Sequence, residues 1–305
     1  MPNKKMKKLL KTHQALNLET KLFFFSSLTL LILNFIFLKA ANESISYIIL
    51  LVLVTIFGLP HGALDTMLAK KFKIYFNRIS FILFNFTYLT IGLLVFLFWN
   101  TFPILMLYLF LIISSYHFSE DWKANTILYE RLLLGFGVIN LPLFFHSEEV
   151  NLIYINITNN SDIDIYAKIQ FYLASINLLL LVFLAFKKIK FLNLSLQIFI
   201  IIIFSYTLHP IYFFLSYFCF FHSIKNYKES ISYLKKENKI KINIIVFLNT
   251  LITIFLAIVF YIFFLKKYNI ENLSILIFIG LAALTVPHML LKFIISKRKI
   301  NLSSF

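Results

Sequence analysis

Four histidines of this chain, His61, His117, His222 and His288, each fall in the same half of a different long apolar segment. Ionisable groups inside hydrocarbon are costly unless they pair or bind something, so each is a functional candidate by position alone. One such residue is adequately explained as a helix cap or as a bond to a neighbouring carbonyl. Four at one depth are better explained by neutral nitrogens gathered on a metal ion. A second regularity points the same way: His61 is followed four residues later by Asp65, His117 by Asp121 and His222 by Asn226. On a helix such pairs share a face one turn apart, and a carboxylate beside an imidazole fixes the tautomer of a metal-ligating ring. The sequence therefore nominates His61, His117, His222 and His288 as metal ligands, with Asp65, Asp121 and Asn226 as the polar groups behind them.

The elements that must position these residues are membrane helices. With 60% hydrophobic and only 14% charged residues, the chain lies outside the range of soluble globular domains. Apolar runs fall at about 22–38, 44–60, 79–99, 102–118, 127–145, 169–186, 191–208, 211–223, 243–265 and 273–295. Several reach the roughly 20 residues that a helix needs to cross the hydrocarbon core; the shorter ones imply kinked or half-length helices. The expected fold is all-α: a polytopic integral membrane bundle of about ten helices, eight to ten in range. A basic tail over 1–21 precedes a single catalytic membrane domain over 22–295, and 296–305 forms a short C-terminal tail.

Charge orients the bundle. If the N-terminus is cytoplasmic, 24 of the 29 Lys and Arg fall on inside segments and four on outside ones, with Arg131 inside a span. That asymmetry places both termini in the cytoplasm and the four histidines in the cytoplasmic half, while His146 and His209 fall at the outer face and His13 in the basic tail. The net charge of +16 is then a topology signal with some attraction for anionic lipid, and nucleic-acid binding is excluded. The run after the N-terminal lysines resembles a signal peptide, but Lys39 stands where a small residue is wanted for cleavage, so the first helix is read as retained. Cys219 is the single cysteine, which excludes an internal disulfide and a thiolate cluster. Residues 146–168 read as the longest external loop, polar and without chemistry.

Imidazole suits iron, copper, zinc and nickel, whereas the lack of thiolates and of a Met-rich motif argues against Cu(I) and iron–sulfur centres. No His-Glu-x-x-His sequence is present, so a zinc protease is not indicated. Bis-histidine haem is an alternative, but four ligands on one side fit a mononuclear site better, and non-haem Fe(II) is the choice among these. A transporter is the other alternative, since Pro60, Pro210 and Pro287 interrupt apolar segments; it predicts an inverted repeat, and none is found.

The motifs Gly58-Leu59-Pro60-His61-Gly62-Ala63-Leu64-Asp65, Ser115-Tyr116-His117-Phe118 with Asp121, Tyr217-Phe218 leading to His222-Ser223, and Val286-Pro287-His288-Met289-Leu290 resemble, in order and spacing, the bacterial and archaeal β-carotene 15,15′-dioxygenases of the Brp/Blh type. The resemblance covers about residues 50–295. It implies an iron-dependent oxygenase of the cell (inner) membrane that cuts β-carotene with O2 into two molecules of retinal, with a rhodopsin as a possible downstream user. It also implies His61, His117 and His222 as iron-site histidines. The family commonly continues from the third as His-Ser-x-Arg-His, whereas this chain has His222-Ser223-Ile224-Lys225-Asn226. An amide oxygen is a poorer Fe(II) ligand than imidazole, so His288 is favoured over Asn226 to complete the shell. Ser119 stands where the family often has Gly. Tyr116, Phe118, Tyr217, Phe218, Phe220 and Phe221 are natural walls for a conjugated hydrocarbon, but the membrane helices of a low-GC genome are rich in Phe everywhere, 38 in this chain, and no substrate-binding residue is assigned.

Overall fold

The computed structural model describes residues 16–36, 43–160, 163–260, 262 and 273–303, and every regular element among them is helical. The N-terminal lysines and His13, Lys39, Lys266, Lys267, the end of the C-terminal tail and the side chain of His61 lie outside the described residues. The helices are α1 Leu18–Ile36, α2 Glu43–Leu53, α3 Asp65–Lys71, α4 Arg78–Thr101, α5 Pro103–Ser119, α6 Leu128–Phe145, α7 Ser147–Thr158, α8 Asp164–Lys187, α9 Leu192–Thr207, α10 Pro210–Leu215, α11 Ser223–Tyr233, α12 Lys239–Phe260 and α13 Leu273–Ser303. Contacts group the helices expected as one bundle into two compact units. The first comprises Met1–Asn42, Ser114–Leu152 and Asp162–His222, and the second Glu43–Ile113, Ile153–Ser161 and Ser223–Phe305.

Among the described residues, seven helices are long and apolar enough to cross a membrane: Leu18–Phe35, Arg78–Thr101, Pro103–Trp122, Leu128–Phe145, Ile165–Lys187, Lys239–Val259 and Ile277–Arg298. The segments expected at 44–60, 191–208 and 211–223 are helical but shorter, so the chain shows seven full-length candidates where about ten were expected. The reason is local. Pro60 cannot donate to residue 56 and crowds its carbonyl, and the backbone ahead of it widens into a π turn over Val54–Gly58, then tightens to a 3₁₀ turn over Leu59–His61. After α10 a second π turn, Ser216–His222, delivers His222.

The region expected to be a plain loop over 146–168 is corrected by the structure: Ser147–Thr158 is helical. Val150, Ile153, Tyr154 and Ile157 are buried on one side of it, the i, i+3, i+4, i+7 pattern of an amphipathic helix, and Asn159 ends it in a left-handed conformation with φ 50°. Glu148, Glu149 and the asparagines masked that pattern in the sequence.

In the first unit, α6 approaches the end of α5 without room for a side chain. A Cβ on Gly135 would stand 2.1 Å from the Ser115 carbonyl oxygen and 2.7 Å from the Ser119 amide nitrogen, the two residues that bracket His117. In the second unit Leu64, Met67, Leu68, Ala69, Leu234, Ile242, Leu291 and Ile295 form an apolar core. Arg298 of α13 donates to the carbonyls of Phe72 and Lys73, satisfying groups that the end of α3 leaves without helical partners.

Candidate metal centre

In the first unit α5 gives way at its C-terminus to a 3₁₀ turn, Glu120–Trp122. This short turn carries Asp121 inward, and Trp122 pins it: its indole Nε1 donates to Gln197 Oε1 at 2.8 Å, and Gln197 Nε2 donates to Thr20 Oγ1 at 2.8 Å. Its outer side is held by ions, with Glu120 2.5 Å from Arg131 and 2.7 Å from Lys123. Arg131, expected inside a span, is thus paired, as is the buried Glu130 with Lys188 at 2.9 Å.

Onto this turn converge two side chains from the π turn. Asp121 Oδ2 accepts from the Tyr217 hydroxyl at 2.8 Å and lies 2.9 Å from His222 Nδ1. An ionised carboxylate only accepts, so Nδ1 of His222 carries the proton and Nε2 the lone pair. That Nε2 faces Nε2 of His117 at 3.0 Å, with ring centroids 4.5 Å apart. Asp121, His117 and His222 are all buried, as are Phe118, Phe218, Tyr217 and Phe221 around them. Phe118 meets the His222 ring edge-on at 4.7 Å, and Phe218 stacks on it with 18° between planes. Tyr116, by contrast, is exposed.

The second unit repeats the motif with other helices. His288 Nδ1 lies 2.9 and 2.8 Å from the two oxygens of Asp65, and the Tyr88 hydroxyl donates to Asp65 Oδ2 at 2.8 Å. Again the carboxylate assigns the proton to Nδ1 and the lone pair to Nε2. Asp65 and His288 are buried. The turn between His61 and Asp65 is held by Asn249, whose Nδ2 donates to the Ala63 carbonyl at 2.7 Å and to Thr66 Oγ1 at 3.2 Å. Gly92, one turn beyond Tyr88, lets α4 approach α13 closely: a Cβ there would meet the Ala283 carbonyl oxygen at 3.1 Å. The Lys292 ammonium, one turn beyond His288, donates to the Oδ1 of Asn226.

The structure thus brings His117, His222 and Asp121 together in one unit and His288, Asp65 and Asn226 into the other. It redistributes the expected partnerships, because each carboxylate reaches the histidine of a different helix: Asp121 holds His222, and Asp65 holds His288. The i+4 spacing does not put His117 beside Asp121 on a continuous α-helix, since α5 ends at Ser119; the same holds for His61 and Asp65, separated by a turn. Among the described residues no three or more His, Cys, Asp or Glu side chains gather where they could hold one metal ion. Tyr88 and Lys292 were not foreseen, and Tyr217 was expected as a wall for substrate and not as a partner of Asp121; their partners lie 23, 66 and 96 residues away in the chain, a separation that leaves no local signal for the bonds. His146, expected with His209 at the outer face, donates through Nε2 to the Tyr206 carbonyl, and His209 caps α10 by accepting from the Ile211 amide. Burial pushes the His209 imidazole below its ordinary value, and neighbouring His146 adds to this while Glu149 opposes it.

A family model described as beta-carotene 15,15′-dioxygenase matches residues 52–295. A beta-carotene 15,15′-dioxygenase from the uncultured marine bacterium 66A03 is 30% identical over 252 residues, covering 79% of this chain and 90% of that protein. No solved structure matches the chain.

Proposed function

Because the chain belongs to the beta-carotene 15,15′-dioxygenase family, we propose that it cleaves β-carotene at the central 15,15′ double bond with O2, giving two molecules of retinal, at a non-haem Fe(II) held by histidine. The observation that carries this reading is the facing pair of Nε2 atoms of His117 and His222, 3.0 Å apart, with Asp121 fixing the second imidazole. The donor set fits such an ion. With imidazole nitrogens about 2.1 Å from a divalent metal, two ligands at right angles stand about 3.0 Å apart. Asp121 supplies the carboxylate that metal-ligating histidines characteristically use at their other nitrogen. His61 and His288 are the further ligands that the sequence puts forward. Asn226 is the weaker candidate, because its one coordinating atom, Oδ1, already accepts from the Lys292 ammonium, and a cation opposes a second cation there.

Bound iron supplies the activation of O2 toward an electron-rich double bond. The chain's own residues do the rest. Asp121 and Asp65 orient imidazoles and keep their Nδ1 atoms protonated. Phe118, Phe218, Tyr217 and Trp122 exclude water around His222 and so strengthen every charge interaction in the site. The two atoms of O2 become the two aldehyde oxygens, so the reaction balances without a reductant. We place the protein in the cell membrane as a multi-pass protein with both termini in the cytoplasm, and its retinal in the service of a retinal-binding protein such as a rhodopsin.

The test is expression in a bacterial host that already makes β-carotene, with extracts analysed for retinal by chromatography. Wild type is expected to form retinal, and the His61→Ala and His222→Ala chains to form none. Unaltered β-carotene with the wild-type protein present in the membrane would contradict the proposal.

A further inference from the structure

In both units the carboxylate that grips a histidine is itself gripped by a phenol. Tyr217 donates to the same Oδ2 of Asp121 that holds His222, and Tyr88 donates to the Oδ2 of Asp65 that holds His288. Each Asp–His–Tyr set is assembled differently, yet ends in the same bonds. In the first unit the π turn is the device. Tyr217 and His222 are five residues apart, and on an α-helix at about 100° per residue they would point about 140° apart. A π turn bonds residue i to i+5 and so stacks that pair on one face, where both reach Asp121. In the second unit Tyr88 and His288 come from different helices, α4 and α13, brought close where Gly92 meets Ala283. Two separate structural solutions for one bonding pattern argue that the pattern, and not the local fold, is what is being held.

We propose that Tyr217 and Tyr88 are positioning residues for the histidines that the reading above assigns to iron. A phenol donating to the carboxylate offsets part of its negative charge and fixes the oxygen that faces the ring. The Nδ1 proton then stays on the imidazole, and the Nε2 lone pair stays aimed away from the carboxylate, in the direction a metal must occupy. Without the phenol the carboxylate competes harder for that proton, and the imidazole gains imidazolate character. Without the phenol the carboxylate also loses a restraint on its orientation, because a charge-assisted O–H bond is among the stronger ones a buried carboxylate has.

This inference rests on the iron reading for its purpose but is tested without iron. Full-length protein with ¹⁵N-labelled histidine, reconstituted metal-free in lipid nanodiscs, is compared by NMR for wild type, Tyr217→Phe and Tyr88→Phe. Tyr217→Phe is expected to move the His222 Nδ1–H proton downfield and leave His288 in place, and Tyr88→Phe to do the reverse. An unmoved His222 resonance in Tyr217→Phe, together with an unmoved His288 resonance in Tyr88→Phe, would overturn the proposal. Iron-loaded samples supply the second readout: the Fe(III)/Fe(II) midpoint potential is expected to fall in Tyr217→Phe, because a more imidazolate-like ligand favours the oxidised ion. A potential unchanged from wild type contradicts the role at the metal. A wild-type chain that takes up no iron while the NMR shifts appear as expected would support the positioning role and overturn the iron reading instead.

Discussion

The histidine set of the first unit and that of the second share a hydrogen-bonding plan and differ in what the described residues place beside the imidazole. Both tie Nδ1 to a buried aspartate and tie that aspartate to a tyrosine. In the first, two imidazoles meet nitrogen to nitrogen, at 3.0 Å, inside a wall of aromatic rings. In the second, the aspartate meets a single described histidine through both oxygens, and one turn on along α13 an ammonium bonds an amide. The difference teaches that fixing a tautomer and gathering ligands are separate tasks. A carboxylate fixes which nitrogen keeps its lone pair, and a second nitrogen about 3.0 Å away is what makes the first unit the place for the proposed ion.

The strongest way to break this comparison is to remove the facing pair. His117→Ala and His222→Ala are expected to reduce retinal formation to background and to lose bound iron, measured on purified protein; retention of iron by both would sink the assignment. Next come the aspartates. Asp121→Asn should lower iron affinity or turnover by about 10–100-fold, the usual cost of losing a partner behind a metal ligand. Asp65→Asn should cost less, since the facing imidazole pair seen among the described residues lies beside Asp121, and a larger loss there would reverse the ranking of the two units. Gly135→Ala tests the scaffold of the first set. Its methyl must displace the backbone on either side of His117, so thermal unfolding should show a loss of about 1–3 kcal/mol, with weaker iron retention. The smallest effect on iron is expected for Asn226→Ala, which removes the acceptor of the Lys292 ammonium, a charge-assisted bond of about 1.5–3 kcal/mol, and leaves iron content at the wild-type level; loss of iron would make the amide a ligand after all.

Much of this was visible in the residues alone. Apolar runs placed helices over every region the structure shows as an apolar helix, because burial in lipid leaves a long, uninterrupted signal. His117, His222 and Asp121 stood out, together with His61, His288, Asp65 and Asn226, because ionisable and polar residues are conspicuous among Phe, Ile and Leu. Their pairing did not. Sequence spacing suggested that Asp121 serves His117, whereas the helix stops at Ser119 and the carboxylate turns to a histidine 101 residues away. Tyr88 gave no signal among 16 tyrosines, and Tyr217 stood out by its motif but not by its role, since what defines both is a bond across the fold. The helix at Ser147–Thr158 was hidden for the opposite reason: its four buried residues are spaced correctly, but its glutamates and asparagines read as loop.

The central claim, that His117 and His222 hold an iron ion that cuts β-carotene, is tested most directly with purified protein stripped of metal, then supplied with β-carotene and O2 with and without Fe(II). Wild type should form retinal only when Fe(II) is added, while His222→Ala should form none at the same Fe(II) concentration. Retinal formed at the full rate by the stripped wild-type protein, or by Fe(II)-supplied His222→Ala, would contradict the account.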